Sequence, residues 1–325
     1  MSNKAKKARN LAALSGGALV AAAPFAPAGT AQADAAIFHV TNTNDSGDGS
    51  LRKAIELANA TTDTDTIVFD AGATGTITLS SGALQISESV DIQGPGAGVV
   101  TIDADGTSMA FYVYNNGVDI SVSMSDLTVT GGLDGTYGGG FTVWGENLEL
   151  DHMVITGNTG KEAGAIYFYG HYTDAEATLT IRNSTISGNT GSSYAGGIYV
   201  QSAGAADSTG LLIENSTISD NDGTGYGGGL YLKAIPGDTI IRNSTISGNT
   251  AAYGGGGVYV DHTVGTLLIE NSTITGNDAG TYAGGLYIDD SSVTPVSITN
   301  SIIAGNTAGD DGNDIYSGES APLSI

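Results

Sequence analysis

The chain has 325 residues, 34 acidic against 10 basic side chains, a formal net charge of −24, 50 glycines, six prolines and no cysteine. Such a charge excludes nucleic acid and anionic lipid as surfaces the chain would seek, and the cysteine count excludes a small disulfide-held module. Abundant glycine and small hydroxyl residues at a mean hydropathy of +0.03 predict an all-β chain of many short strands joined by tight turns.

At the N-terminus, Lys4, Lys6, Lys7 and Arg9 precede an apolar run from Leu11 to Ala23, followed by the small-residue site Ala31-Gln32-Ala33. This is the pattern of a bacterial-type export signal over residues 1–33, with cleavage expected after Ala33. Neither that run nor any later stretch reaches the roughly 20 apolar residues of a membrane span. The expectation is a secreted or cell-surface protein without membrane insertion.

Phe38-His39-Val40-Thr41 alternates like a strand, Asn42 to Gly49 is polar and turn-like, and Ser50 is placed to cap a short helix. Leu51, Ala54, Ile55 and Ala58 fall on one face of that helix, which would cover the open end of a sheet stack. Residues 34–110 are read as this cap and the first coils, and residues 111–325 as repeat coils of the same domain.

The repeat is carried by Asn183-Ser184-Thr185-Ile186-Ser187-Gly188-Asn189, which returns in near copy at Asn215, Asn243 and Asn271 and in altered form at Asn300. A period of this size means stacked supersecondary units. Three strands fit one unit: Leu179-Thr180-Ile181, Ser184-Thr185-Ile186-Ser187 and Ile198-Tyr199-Val200. Alternation points Leu179, Ile181, Ile186, Ile198 and Val200 inward. Seven recognisable units, with Asp126 and His152 in the register of Asn183, and the less regular N-terminal coils before them give about nine or ten coils. Asn183 and its equivalents occupy one bend and Asn158, Asn189, Asn221, Asn249, Asn277 and Asn306 another, where stacked amides can bond from coil to coil. Before the first Asn, the alternation Asp151, Arg182, Glu214, Arg242, Glu270 predicts a cross-coil column of ion pairs.

Gly49-Ser50-Leu51-Arg52-Lys53-Ala54 resembles the N-terminal signature of exported right-handed parallel β-helix proteins, approximately Cys-Ser-Leu-Arg-Glu-Ala, with two positions changed. Thr66-Ile67-Val68-Phe69, Gly75-Thr76-Ile77-Thr78-Leu79 and Val90-Asp91-Ile92-Gln93-Gly94-Pro95-Gly96 are similar to the first coils of such pectin-lyase-like solenoids. Gly164-Ala165-Ile166 and Gly196-Gly197-Ile198 are similar to the repeats of polymorphic outer-membrane proteins. The resemblance implies an all-β, right-handed parallel β-helix with three strands per coil and a short N-terminal capping helix.

Columns of side chains locate the candidate sites. Tyr167, Tyr199, Tyr231, Tyr259 and Tyr287 repeat outward on the third strand, with Tyr316 continuing them. Tyr137, Tyr194, Tyr226, Tyr253 and Tyr282 form a second set before the glycines. Exposed aromatic rows suit flat, partly apolar ligands such as sugar rings, so the tyrosine face and Trp144 are the expected binding residues and a polysaccharide or surface glycan the expected partner.

Beyond the tyrosines the column stops repeating and reads Trp144, Tyr169, Gln201, Lys233, Asp261, Asp289, with His262 and Asp290 alongside. Lys233, Asp261 and Asp289 are the catalytic candidates should the chain be a polysaccharide lyase or glycoside hydrolase acting on an acidic polymer. Family motifs for that chemistry, a Gly-His-Gly or an Arg-x-Lys near paired aspartates, are absent, so a non-enzymatic scaffold is the leading expectation. A third reading rests on Thr185/Ser187, Thr217/Ser219 and Thr245/Ser247, outward hydroxyl pairs that resemble ice-binding arrays. Acidic turns at Asp45 to Gly49, Asp103 to Gly106 and Asp310 to Asp314 suit loose Ca2+ binding. They complete no defined metal site, and no cofactor is required.

Overall fold

A computed structural model describes residues 35–170, 177–262, 265–289, 295–318 and 323–325. The export signal and Asp290 lie outside the described residues. Ala33–Ile325 forms one compact unit, built almost wholly from parallel strands.

The coils stack their strands into three long sheets, of 11, 9 and 9 strands, and seven of them add a two-residue rung to a fourth sheet. One coil runs Leu179–Arg182, Thr185–Ser187, Thr190–Gly191 and Ile198–Gln201 before the next begins at Thr209–Glu214. The fourth rung carries too few residues to show a period, which is why alternation finds three strands. Leu179, Ile181, Ile186, Ile198 and Val200 are fully buried, as alternation predicts. Each contributes roughly 1.5–3 kcal/mol.

The two asparagine columns do different work. Asn183, Asn215, Asn243, Asn271 and Asn300 all adopt left-handed backbone, with φ between 49° and 51°, a conformation Asn tolerates better than most residues. His152 and Asp126 take the same conformation one and two coils earlier. Side-chain bonding here is confined to exposed contacts such as Asn183 Nδ2 donating to Asp151 Oδ1 at 2.7 Å. The second column is a buried ladder. Asn221 Oδ1 accepts from both the backbone N–H and Nδ2 of Asn189, at 3.1 and 2.9 Å, while Asn221 Nδ2 also donates to Ile186 O at 3.0 Å. The pattern repeats through Asn249 and Asn277 and ends where Asn306 donates to Asp314 Oδ1. A parallel serine ladder, not evident in the sequence, has Ser216 N–H donating to Ser244 Oγ and Ser244 N–H to Ser272 Oγ, both at 3.1 Å.

The charged column forms in part, with one change of partner and, among the described residues, no ion pair between Arg242 and Glu270. Glu214 pairs with Arg242 at 2.7 Å and with Arg182 at 3.4 Å. Arg182 turns its other side to Glu149, two residues before the expected Asp151, because both lie on the outward face of the same strand.

At the N-terminal end the helix spans Leu51–Ala58. Ser50 Oγ accepts from Lys53 N–H at 3.1 Å, and Leu51, Ala54, Ile55 and Ala58 are buried. Arg52 donates to Asp45 Oδ1 at 2.6 Å, Gly82 O at 2.7 Å and Ala83 O at 2.9 Å. Burial opposes the Asp45 charge, but hydrogen bonds from Ser81, Arg52 and Ser80 and the Arg52 charge outweigh it and hold the carboxyl below its usual range. The acidic turn at Asp45 therefore serves the cap through Arg52.

Candidate functional site

The third-strand sheet carries the candidate residues. Tyr167, Tyr199, Tyr231, Tyr259, Tyr287 and Tyr316 stand in register on consecutive coils. Their ring centroids are 5.2, 4.9, 5.2, 4.7 and 4.9 Å apart in that order, close to the spacing of parallel strands. Thr142 takes the equivalent place in the coil of Trp144.

The rings point away from the coil interior as alternation predicts, yet they are not exposed. Tyr167, Tyr199, Tyr231 and Tyr259 are only 3–7% accessible, which corrects the expectation of an open platform. The cause is the second tyrosine set, which lies over the first. Tyr194 stacks on Tyr231 at 5.2 Å, Tyr226 packs on Tyr259 at 4.8 Å and Tyr137 on Tyr167 at 5.0 Å. Glycines let the coils approach closely beside these rings: a Cβ on Gly228 would stand 2.3 Å from Thr250 O and 2.4 Å from Gly256 O in the next coil. The accessible rings belong to the outer set, Tyr253 at 51% and Tyr282 at 43%. Trp144 and Tyr287 are half-buried against the inner column.

Burial obliges the inner hydroxyls to find partners, and the non-repeating column supplies them. Tyr199 Oη donates to Gln201 Oε1 at 3.0 Å, Tyr231 Oη to Asp261 Oδ2 at 2.6 Å and Tyr259 Oη to Asp289 Oδ2 at 3.2 Å. Burial, followed by the hydrogen bond and charge of Asp261, pushes the Tyr231 hydroxyl far above the usual tyrosine range. Burial likewise raises Tyr199 and Tyr259.

Lys233, Asp261 and Asp289 are brought together at the end of this sheet. Lys233 Nζ lies 4.0 Å from Asp261 Oδ2, and His262 Nδ1 meets Asp261 Oδ1. Asp261, His262 and Asp289 offer one ligand atom each within 4.8 Å of one another. The Thr and Ser pairs of the second strand stand in register between coils, as Thr217 does on Thr245 and Ser219 on Ser247.

Two carboxylates were not singled out by sequence. Glu162, beside Lys161, is raised by burial, with the charges of Lys161 and Lys233 working the other way. Glu146 is buried and accepts from Asn115 N–H at 2.7 Å and Ile120 N–H at 2.8 Å. Burial raises its carboxyl against those two bonds, with Asp119 and Glu88 adding to the rise. Glu146 and Trp144 border a cavity of about 300 Å³ that Tyr114 and Asp119 also line. Glu146 follows the third strand Phe141–Trp144, where the repeat breaks, whereas Glu162 lies in the turn between the rung Thr159–Gly160 and the third strand Ile166–Tyr169.

Fold and site together define a parallel β-solenoid with a tyrosine rib along one face. The chain belongs to the right-handed β-helix family, whose model, described as a right handed beta helix region, matches residues 92–323. Among solved structures it is similar to the A-module of Azotobacter vinelandii mannuronan C-5 epimerase AlgE6, at 14% identity and a TM-score of 0.37 over 88% of this chain and 98% of that one. The AlgE4 A-module of the same organism gives 15% and 0.35 over 88% and 100%. Geobacillus virus E2 ORF18 gives 16% and 0.33 over 84% and 59%. No curated protein matches the chain in sequence.

Proposed function

We propose that this is an exported β-helix scaffold that binds carbohydrate along the outer tyrosines, not the buried inner column. The observation that carries the reading is the accessible pair Tyr253 and Tyr282, each packed on a partly buried ring. Tyr253 packs 5.1 Å from Tyr226 and Tyr282 packs 5.8 Å from Tyr316. Rings fixed in this way lose little entropy on binding a sugar face. The net charge of −24 favours a neutral glycan over a polyanion.

A lyase or hydrolase reading has less support. Asp261 already takes the Tyr231 hydroxyl and faces Lys233, and Asp289 takes the Tyr259 hydroxyl, so the column satisfies itself without a substrate. The test is a neutral-glycan array probed with the wild-type chain and with Tyr253→Ala/Tyr282→Ala. Binding that falls at least about tenfold in the double variant supports the proposal. No bound glycan, or equal binding by both proteins, removes it.

A further inference from the structure

Asp261, His262 and Asp289 form a mixed nitrogen and oxygen group unlike anything else in the third-strand column. The equivalent positions one coil earlier are Lys233 and Ala234. His262 sits at the first bend position after the strand with φ at 52°, and this left-handed turn folds the imidazole back so that Nδ1 meets Asp261 Oδ1. Asp289 reaches the same place from the next coil, its N–H bonded to Val260 O at 3.0 Å.

We propose that these three side chains bind a divalent first-row transition ion, with Zn2+ preferred over Ca2+. Imidazole nitrogen suits zinc and its neighbours, whereas calcium takes six or more oxygens that this site does not offer. The three ligand atoms lie within 4.8 Å of one another. Metal–ligand distances of about 2.0–2.2 Å place ligand atoms roughly 3–3.5 Å apart, so Asp289 has to approach while the contact between His262 Nδ1 and Asp261 Oδ1 opens, both by side-chain rotation.

The tyrosine rib supplies the outer shell. Tyr231 Oη and Tyr259 Oη donate to Oδ2 of Asp261 and of Asp289, which orients each carboxylate. Outer partners of this kind hold metal ligands in orientation, and their loss typically weakens binding about 10–100-fold. Lys233 Nζ stands 4.0 Å from Asp261 Oδ2, so its positive charge lies beside the group. It competes with the metal. The proposal is independent of the carbohydrate reading.

The experiment is calorimetric titration of the full chain, stripped with chelator, against Zn2+, Co2+ and Ca2+, with Co2+ also followed by its visible absorption. One Zn2+ per chain is expected, bound at least about tenfold tighter than Ca2+. His262→Ala should abolish the imidazole signature in the Co2+ spectrum, and Asp289→Asn should weaken Zn2+ binding at least about tenfold. Tyr231→Phe should weaken it while leaving the circular dichroism of the coils unchanged, and Lys233→Met should tighten it. Absence of stoichiometric Zn2+ binding, equal affinity in the His262 and Asp289 variants, or a preference for Ca2+ would overturn the assignment. All variants are to be compared by circular dichroism, so that loss of fold is not mistaken for loss of the site.

Discussion

The hydroxyl of Tyr231 donates to Asp261 Oδ2 at 2.6 Å, tying a buried ring of one coil to a carboxylate of the next. It links the repeating part of the third-strand face to the part that does not repeat. A hydrogen bond to a charged group of this kind contributes about 2 kcal/mol. Tyr231→Phe should therefore lower stability by about that amount, read as a shift in denaturant midpoint. An unchanged midpoint would show that the bond adds nothing to the fold.

Alkaline pH should be the weak side of this protein. Tyr199, Tyr231 and Tyr259 are raised in the folded chain, chiefly by burial, while the unfolded chain ionises near about pH 10. The folded state thus holds protons that the unfolded state gives up, so stability kept below about pH 10 is lost as pH rises beyond it. Denaturant midpoints from pH 8 to 11 should fall steeply for the wild type. The triple variant Tyr199→Phe/Tyr231→Phe/Tyr259→Phe should show a flatter profile, and parallel profiles would contradict the attribution.

Asparagines that look alike in sequence should respond oppositely to mutation. Asn249 gives up Oδ1 to the N–H and Nδ2 of Asn221 and donates to Ile218 O at 3.0 Å. Its replacement by Ala strands several buried polar groups, a cost of about 3 kcal/mol or more. Asn243, at φ 50°, serves mainly as a left-handed bend residue. Asn243→Gly should change stability by less than about 1 kcal/mol. Equal losses by thermal or denaturant unfolding would mean that the two columns do the same work.

Removing the Arg52 guanidinium should loosen the N-terminal end. Arg52→Ala leaves Asp45 and the carbonyls of Gly82 and Ala83 without their shared donor, at about 2–3 kcal/mol. Because the Asp45 carboxyl is held low, stability from this contact is present above its unfolded value of about 4 and is lost as pH falls through the lower folded value. Hydrogen exchange should speed up in the cap and first coils of the variant, while the amides around Asn249 keep their protection. Uniform exchange in variant and wild type would refute the clamp.

Packing between coils gives a further contrast. Gly228→Ala forces a Cβ against Thr250 O and Gly256 O, whereas a Cβ on Gly135 meets nothing within 4 Å. The first change should cost about 3 kcal/mol or more and the second little by comparison. Denaturant midpoints of the two variants provide the check.

The sequence by itself determined the coil. Leu179, Ile181, Ile186, Ile198 and Val200 reveal their burial because inward and outward positions alternate locally along a strand, and Asn, Gly and Ser mark the bends that repeat. The helix at Leu51 was legible for the same reason, since its cap and apolar face lie within eight residues of chain. Only the tertiary structure decided what faces solvent. Tyr231 points outward in either description, but its accessibility depends on Tyr194 and Tyr226 folding over it from neighbouring turns, a contact no local period encodes. The same limit hid the distinction between the two asparagine columns, which rests on backbone hand at one bend and burial at the other. The column order already set Asp261, Asp289 and His262 side by side, but the tyrosine hydroxyls bonded to the two carboxylates were visible only in the tertiary structure.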